Sequence, residues 1–335
     1  MPELLPDRCT HFRSPRSSCD ACVEICPREA LQLTAGHVQL DAAACDACGL
    51  CVAACPEGAL AARFSHPLHD PGHGRAFVAC EPAVEACGAG ILPCLHAMLD
   101  QQVVALARAG VRTLETAHLD CASCPRRPVD GARLESRLAD FDAACRQRGL
   151  AGIAIERIEI AEWNKRTVDL RAASSRRGFL GNLFTRPAAA LLSSVGNAAL
   201  ARDARAMGVW LETQFADVLP AVPVVDFRRC TLCGACMALC NHGVLNILDL
   251  GDAARFTIAA QQCTGCHLCR DICLDNAVSI ERWHEPIAHE PALSRRRCKQ
   301  CSHGFWEFSD AEEKAVCCPV CTRSPGQRPN RIIGG

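Results

Sequence analysis

Cys230-Thr-Leu-Cys233-Gly-Ala-Cys236-Met-Ala-Leu-Cys240, followed by Cys263-Thr-Gly-Cys266-His-Leu-Cys269-Arg-Asp-Ile-Cys273, decides how the chain is read. Both runs space their cysteines C-x2-C-x2-C-x3-C, and Cys45, Cys48, Cys51 and Cys55 repeat the spacing near the start, closed by Pro56. Three thiolates at this pitch reach three irons of one 4Fe-4S cubane, and the fourth, one helical turn further on, points to a neighbouring cluster. Structural zinc normally takes two pairs separated by a longer loop, so it fits these runs poorly. An earlier run, Cys19-x2-Cys22-x3-Cys26-Pro27, has Arg16 where its leading cysteine belongs. Cys9 is the available substitute, entering across Thr10 to Ser18 with Pro15 on the way; the alternative is a three-thiolate site holding a 3Fe-4S or labile cluster.

Composition agrees with metal rather than cross-links. The chain has 335 residues and 27 cysteines, most of them in tight runs where neighbouring thiols converge on one point. Thirty-six basic residues against 37 acidic leave a net charge of −1, so no overall field draws the chain to nucleic acid or to a membrane surface. The most apolar stretch, Ala188 to Leu200, is interrupted by Ser193, Ser194, Gly196 and Asn197. It falls short of the roughly 20 residues that span a bilayer, and a short helix is expected there. Met1-Pro2-Glu3-Leu4-Leu5 shows no charged region leading into an apolar core. No signal peptide is therefore expected, and a reducing cytoplasm suits the thiols. Tyrosine is absent and aromatics are scarce, leaving Ala, Leu and Val to fill cores that clusters would cross-link.

The organisation follows from where the cysteines stop. Residues 1–64 carry the first two runs, and 66–74, rich in His, Pro and Gly, reads as a solvated linker. Residues 75–160 alternate strand-like and helical patterns: Ala76 to Ala79, Leu95 to Ala109, Val111 to Thr116, Val129 to Arg148, Ile153 to Ile160. That alternation predicts a small parallel α/β domain. Residues 161–224 read as a connector, 225–285 as the second pair of arrays, and 294–335 as a basic tail with two further cysteine pairs. The fold class expected is multidomain α+β, with two cluster modules flanking the α/β domain along the chain and a tail.

Residues 9–64 and 226–283 resemble bacterial-type dicluster ferredoxins, on the strength of the four arrays. The resemblance implies a pseudo-symmetric βαββαβ fold in which three cysteines of one array and the last of the other hold each cluster. Carried onto this chain it groups Cys9, Cys19, Cys22 with Cys55, and Cys45, Cys48, Cys51 with Cys26. In the second module it groups Cys230, Cys233, Cys236 with Cys273, and Cys263, Cys266, Cys269 with Cys240. Asn241 and Leu274 depart from the pattern, replacing the proline that usually follows the last cysteine.

The middle of the chain, with Cys80, Leu92-Pro93-Cys94, Ala109-Gly110-Val111 and Cys121-Ala122-Ser123-Cys124, resembles the small delta subunit that joins certain hydrogenases to heterodisulfide reductase. That implies a 2Fe-2S cluster on Cys80, Cys94, Cys121 and Cys124, although the closing pair is spaced more tightly here and Cys87 is extra; buried free cysteines are the alternative. The tail pairs, Cys298 with Cys301 and Cys318 with Cys321, look like the two knuckles of a zinc ribbon. Rubredoxin-type iron is the alternative there, disfavoured because no glycine follows either pair. Ser175-Arg176-Arg177-Gly178-Phe179-Leu180 resembles a twin-arginine export signal, but its internal position fits a fusion relic or docking segment instead.

Neither a phosphate loop, a G-x-G-x-x-G after a strand nor HExxH occurs, so no catalytic pocket is expected. The expected role is electron transfer through four 4Fe-4S clusters between a redox donor and acceptor, such as formate dehydrogenase, hydrogenase or reductase subunits. The alternative is an accessory or assembly protein for a molybdenum or formate-type oxidoreductase, suggested by the twin-arginine-like segment and the tail. Elemental analysis of anaerobically purified chain should give about 16 irons, or about 18 with a 2Fe-2S cluster; a value near eight in intact protein would rule out two dicluster modules.

Overall fold

The computed structural model describes residues 1–34, 36–128, 133–180, 200–212, 218–251 and 253–324. The first cysteine module runs β1 (Glu3–Leu4), α1 (Thr10–Arg13), α2 (Ala21–Glu24), β2 (Leu31–Thr34), β3 (His37–Leu40), α3 (Leu50–Ala54) and β4 (Leu60–Ala62). Strand β1 pairs antiparallel with β4, and β2 with β3 forms a hairpin. None of its helices exceeds five residues. Such elements are too short to be stable alone and depend on packing into a shared core, as Leu50, Val52 and Ala53 of α3 do beside Leu31, Leu60 and Phe64.

The α/β unit follows: β5 (Leu68–Asp70), β6 (Arg75–Cys80), α4 (Glu81–Val84), β7 (Ile91–Leu92), α5 (Asp100–Arg108), β8 (Thr113–Ala117), α6 (Leu134–Gln147), β9 (Ala154–Arg157) and α7 (Ile160–Leu180). Strands β7, β6, β8 and β9 pair in parallel and β5 adds an antiparallel edge. A parallel sheet needs cover on both faces. Val78, Leu92 and Leu114 face Leu106 of α5 and Phe141 of α6, whereas Phe77, Ala79, Ile91 and Ala117 face Trp163 of α7. Buried Glu115 on this second face is held by Arg75 and by Arg166 of α7, the latter at 2.7 Å.

After β10 (Leu200–Ala201), which joins β4, and α8 (Arg205–Glu212), the second module repeats the first. It comprises β11 (Leu219–Val225), α9 (Ala235–Leu239), β12 (Leu245–Asp249), β13 (Ala254–Ile258), α10 (Leu268–Ile272) and β14 (Val278–His284), with β11 antiparallel to β14 and β12 to β13. The tail, β15 (Ala292–Arg297), β16 (Gly304–Phe308) and α11 (Pro319–Arg323), is not a separate appendage. Strand β15 pairs with β13, making one four-stranded sheet, and Leu293 enters the module's core beside Phe256.

Several elements differ from the sequence reading. The 66–74 segment contains β5, because Leu68 is buried against Phe77 at the sheet edge. Strand β9 ends at Arg157, and residues read as connector supply α7, β10, α8 and the start of β11. Helix α7 is polar overall, and among its described side chains it buries Trp163 and Thr167, with half-buried Leu170 extending the stripe at i, i+4 and i+7. Its C-terminal end, Ser175–Leu180, is helical backbone. The helix expected over Ala188 to Leu200 lies outside the described residues except for Leu200, which belongs to β10. Along the chain the modules flank the α/β unit, but in space they also touch each other: Ser18 Oγ lies 2.8 Å from Asp271, and Arg13 donates to the Leu239 carbonyl at 3.1 Å.

A buried carboxylate ties the units together. Asp100, at the start of α5, accepts from Arg202 Nη2 at 2.6 Å and meets Arg137 at 3.3 Å, while Arg202 also reaches the Ala54 carbonyl at 3.3 Å. Burial would raise the Asp100 pKa, but the two guanidinium groups hold it below the usual carboxylate range. Trp163→Ala should remove the cover of the second sheet face at a cost of about 3–5 kcal/mol, seen as a lower thermal midpoint that Trp163→Phe largely restores. An unchanged midpoint would mean that α7 is not part of this unit's core.

Candidate metal centres

The local backbone of three arrays is the same, and it explains why thiols at this spacing converge. In the second array Ala47 (φ 57°) and Gly49 (φ 80°) are left-handed, in the third Leu232 (φ 52°) and Gly234 (φ 79°), in the fourth Gly265 (φ 72°) and His267 (φ 61°). Two left-handed residues per loop curl the chain around a point, at a cost of about 1–2 kcal/mol each at Ala47, Leu232 and His267. A helix begins immediately afterwards, with Gly49, Gly234 and His267 as N-caps of α3, α9 and α10. Cys55, Cys240 and Cys273 are the C-caps of the same helices, so each last thiol emerges one turn away from its own loop.

The consequence is four cavities, each lined by three thiols of one array and one of the other. Cys19, Cys22 and Cys9 line one with Cys55; Cys45, Cys48 and Cys51 line the next with Cys26. Cys230, Cys233 and Cys236 line the third with Cys273; Cys263, Cys266 and Cys269 line the fourth with Cys240. Cys9 reaches its cavity because Thr10 to Ser18 folds back on itself: Ser17 Oγ donates to Thr10 Oγ1 at 2.7 Å, and His11 Nε2 meets the Cys19 carbonyl at 2.5 Å.

Burial pushes the thiols up, those of Cys22, Cys236 and Cys266 to about 12 and those of Cys48 and Cys263 to about 11, with neighbouring thiols adding to the effect for Cys22 and Cys236. Such groups ionise at neutral pH only around a concentrated positive charge. Backbone N–H groups donate to three of the sulfurs: Ala30 N to Cys26 Sγ at 3.3 Å, Ala59 N to Cys55 Sγ at 3.2 Å and Ala277 N to Cys273 Sγ at 3.2 Å. The last persists although Leu274 replaces the proline. Proline is therefore not needed to form this turn.

Cys80, Cys94, Cys121 and Cys124 line a fifth cavity, at the C-terminal edge of the parallel sheet. Cys80 ends β6 and is buried, as is Cys94; Cys121 and Cys124 are half-buried, and exposed Cys87 lies apart. His96 approaches Cys121 Sγ through Nε2 at 3.3 Å, while its Nδ1 accepts from Leu134 N at 3.0 Å. That acceptor role assigns the proton to Nε2, so His96 donates to the sulfur. Burial lowers the His96 pKa to about 4 against the opposing pull of Glu135, keeping the ring neutral.

In the tail the sulfurs of Cys298, Cys301, Cys318 and Cys321 all lie within 4.8 Å of one another, and Cys301 and Cys318 are 3.8 Å apart. A tetrahedral S4 site with bonds of about 2.3 Å has edges of about 3.8 Å, so this group could hold such an ion. Burial opposes ionisation of Cys298, but the backbone N–H groups of Cys301, Cys318 and Gln300 outweigh it and bring the thiol down to about 5.

Three polar residues with no motif of their own stand beside these cavities. Glu57 follows Cys55-Pro56 and is almost fully buried, accepting from Arg13 at 2.5 Å, Thr264 Oγ1 at 2.5 Å and His242 Nε2 at 3.1 Å. Burial would raise its pKa, yet these donors hold the carboxyl below its ordinary value. Arg126 bridges Asp46, Glu81 and the Pro93 carbonyl. His96 is the third. The only sequence signal for Glu57 and Arg126 is adjacency to a Cys-Pro pair, since their partners are up to 207 residues away.

Among the described residues no helix is long and apolar enough to cross a membrane. No curated protein and no solved structure matches the chain significantly. Two family models do match: residues 222–274 match the 4Fe-4S dicluster domain, spanning both C-terminal arrays, and residues 38–61 match the 4Fe-4S binding domain, spanning the Cys45 to Cys55 array. The chain thus carries 4Fe-4S ferredoxin-type domains, which bind iron-sulfur clusters and serve electron transport.

Proposed function

We propose that the chain is an electron relay holding four 4Fe-4S clusters, each on three thiols of one array and one of its partner, working between redox proteins of the cytoplasm. The observation that carries this is the mixed lining of the four cavities. The residues fit the group: four soft sulfur donors per cavity, buried or half-buried, with backbone N–H groups directed at sulfurs in three of the four. Bound there, such a cluster supplies reversible one-electron transfer at a potential set by hydrogen bonds and solvent exposure. The chain's residues anchor the sulfurs, keep water away and fix the spacing between neighbouring sites through α2, α3, α9 and α10.

The fifth cavity we assign to a smaller cluster of the 2Fe-2S type, supported by its four thiols and by the His96 donor to Cys121. The tail tetrad we assign to zinc, supported by the tetrahedral edge and by the lowered Cys298 thiol. Donor and acceptor are redox proteins, with hydrogenase, formate dehydrogenase or reductase subunits as the classes to test.

Two substitutions test the assignment. Cys240→Ser should alter the spectrum and potential of the cluster on Cys263, Cys266 and Cys269 and leave its own array's cluster nearly native, because a serine oxygen is a harder ligand than thiolate. Damage confined to the Cys230, Cys233 and Cys236 cluster would overturn the cross-ligated arrangement. In the tail, Cys318→Ser should release about one zinc per chain while Cys317→Ser keeps it. Zinc loss from both variants, or from neither, would count against the tetrad.

A further inference from the structure

The geometry points to a single file of redox sites whose order differs from the order of the chain. The sequence runs first module, α/β unit, second module; the file runs α/β site, Cys26/45/48/51 site, Cys9/19/22/55 site, Cys240/263/266/269 site, Cys230/233/236/273 site. Two polar junctions, at Arg126 and at Glu57, set this order. The inference rests on the relay reading above and adds the path.

Arg126 lines the α/β cavity, two residues after Cys124. Its Nε donates to Asp46 Oδ2 at 3.0 Å and its Nη2 to the Asp46 carbonyl at 3.2 Å, and Asp46 lies between Cys45 and Cys48, in the wall of the neighbouring cavity. The same guanidinium reaches Pro93 O at 2.6 Å, next to Cys94, and Glu81 Oε2 at 3.3 Å, next to Cys80. One planar group thus holds the walls of two sites, a task that its rigid fork of donors suits.

Glu57 does the same between modules with the charges reversed. It lines the Cys9/19/22/55 cavity, whereas its three donors, Arg13, His242 and Thr264, all line the Cys240/263/266/269 cavity. Thr264 sits between Cys263 and Cys266, and His242 two residues after Cys240. Within each module the order needs no junction, because α2 and α3, or α9 and α10, carry thiols of both sites on one turn. At the far end Arg323 of the tail pairs with Asp275, in the wall of the last cavity, and donates to Thr231 Oγ1 at 3.1 Å.

Electron tunnelling falls off steeply with distance, so sites with shared walls exchange fastest. Each hop oxidises one centre as it reduces the next, and one electron enters from a one-electron donor at one end for each that leaves to an acceptor at the other. The α/β site and the Cys230/233/236/273 site are therefore the two terminals. Glu57 and Arg126 are positioning residues.

The test uses the full chain with its clusters and with Cys317→Ser, so that exposed Cys87 on the α/β unit takes a thiol-reactive ruthenium photoreductant. Rapid-freeze EPR after a flash follows the electron, with Cys236→Ala and Cys269→Ala identifying second-module signals. Glu57→Ala, with its iron content retained, should slow arrival in the second module by about tenfold or more while leaving the first module's reduction unchanged. Glu57→Gln, which keeps an acceptor for Thr264, should retain most of the rate, and Arg126→Ala should slow reduction of both modules alike. Arrival in the second module at the unaltered rate in both alanine variants would overturn the order. Unlabelled protein without cubane signals would overturn the relay reading as well.

Discussion

A thiol buried among other thiols resists ionisation, and the fold is organised around that resistance. Desolvation pushes these cysteines well above their ordinary value, and neighbouring sulfurs add to it. The arrangement makes sense only where a compact group of cations sits among them, and then each loop must aim three sulfurs at one point. Left-handed residues at Ala47, Leu232 and His267 are the conformational cost of that aim. The short helices follow from it too, since a helix of five residues is long enough to send the next thiol to the neighbouring site.

The seams between units are built from buried charge. Asp100 and Glu57 are each enclosed and each met by at least two basic or donor side chains from other segments, and Glu115 is held in the same way inside the α/β unit, between its sheet and α7. Ion groups of this kind add little net stability, but removing one partner leaves an uncompensated charge, so they specify one mutual placement of the units. An apolar seam would tolerate sliding. The proposed relay would not.

The cysteine spacing made most of this legible. The C-x2-C-x2-C-x3-C pitch of three arrays points to a loop followed by a helical turn, the resemblance to dicluster ferredoxins implies the grouping of thiols around four cavities, and alternation of strand and helix patterns gives the parallel sheet. What stayed hidden depends on long-range packing. Among its described side chains helix α7 buries Trp163 and Thr167, with Leu170 half-buried, a stripe too thin to stand out in a polar segment. Strand β5 is a three-residue strand with one buried leucine inside a segment whose His66, His69 and His73 give it a linker-like composition. Glu57 and Arg126 each follow a Cys-Pro pair, but only the meeting of distant segments gives them their partners.

The two modules, alike in topology, differ in how they are covered. Of the first module's cysteines, Cys9, Cys22, Cys48, Cys51 and Cys55 are buried, whereas all eight in the second are only partly so. The first module is enclosed by β10, the α/β unit and the second module, each contributing a strand, a buried ion group or a hydrogen bond to its walls. The second has the tail instead. Pairing of β15 with β13 sets the cysteine knuckles at a fixed place beside the module, and α11 then directs Arg323 at Asp275 and Thr231. The tail's four-sulfur group is thus tied to the Cys230/233/236/273 cavity: α11 carries Cys321 of the group and also holds the Arg323 guanidinium against that cavity's wall.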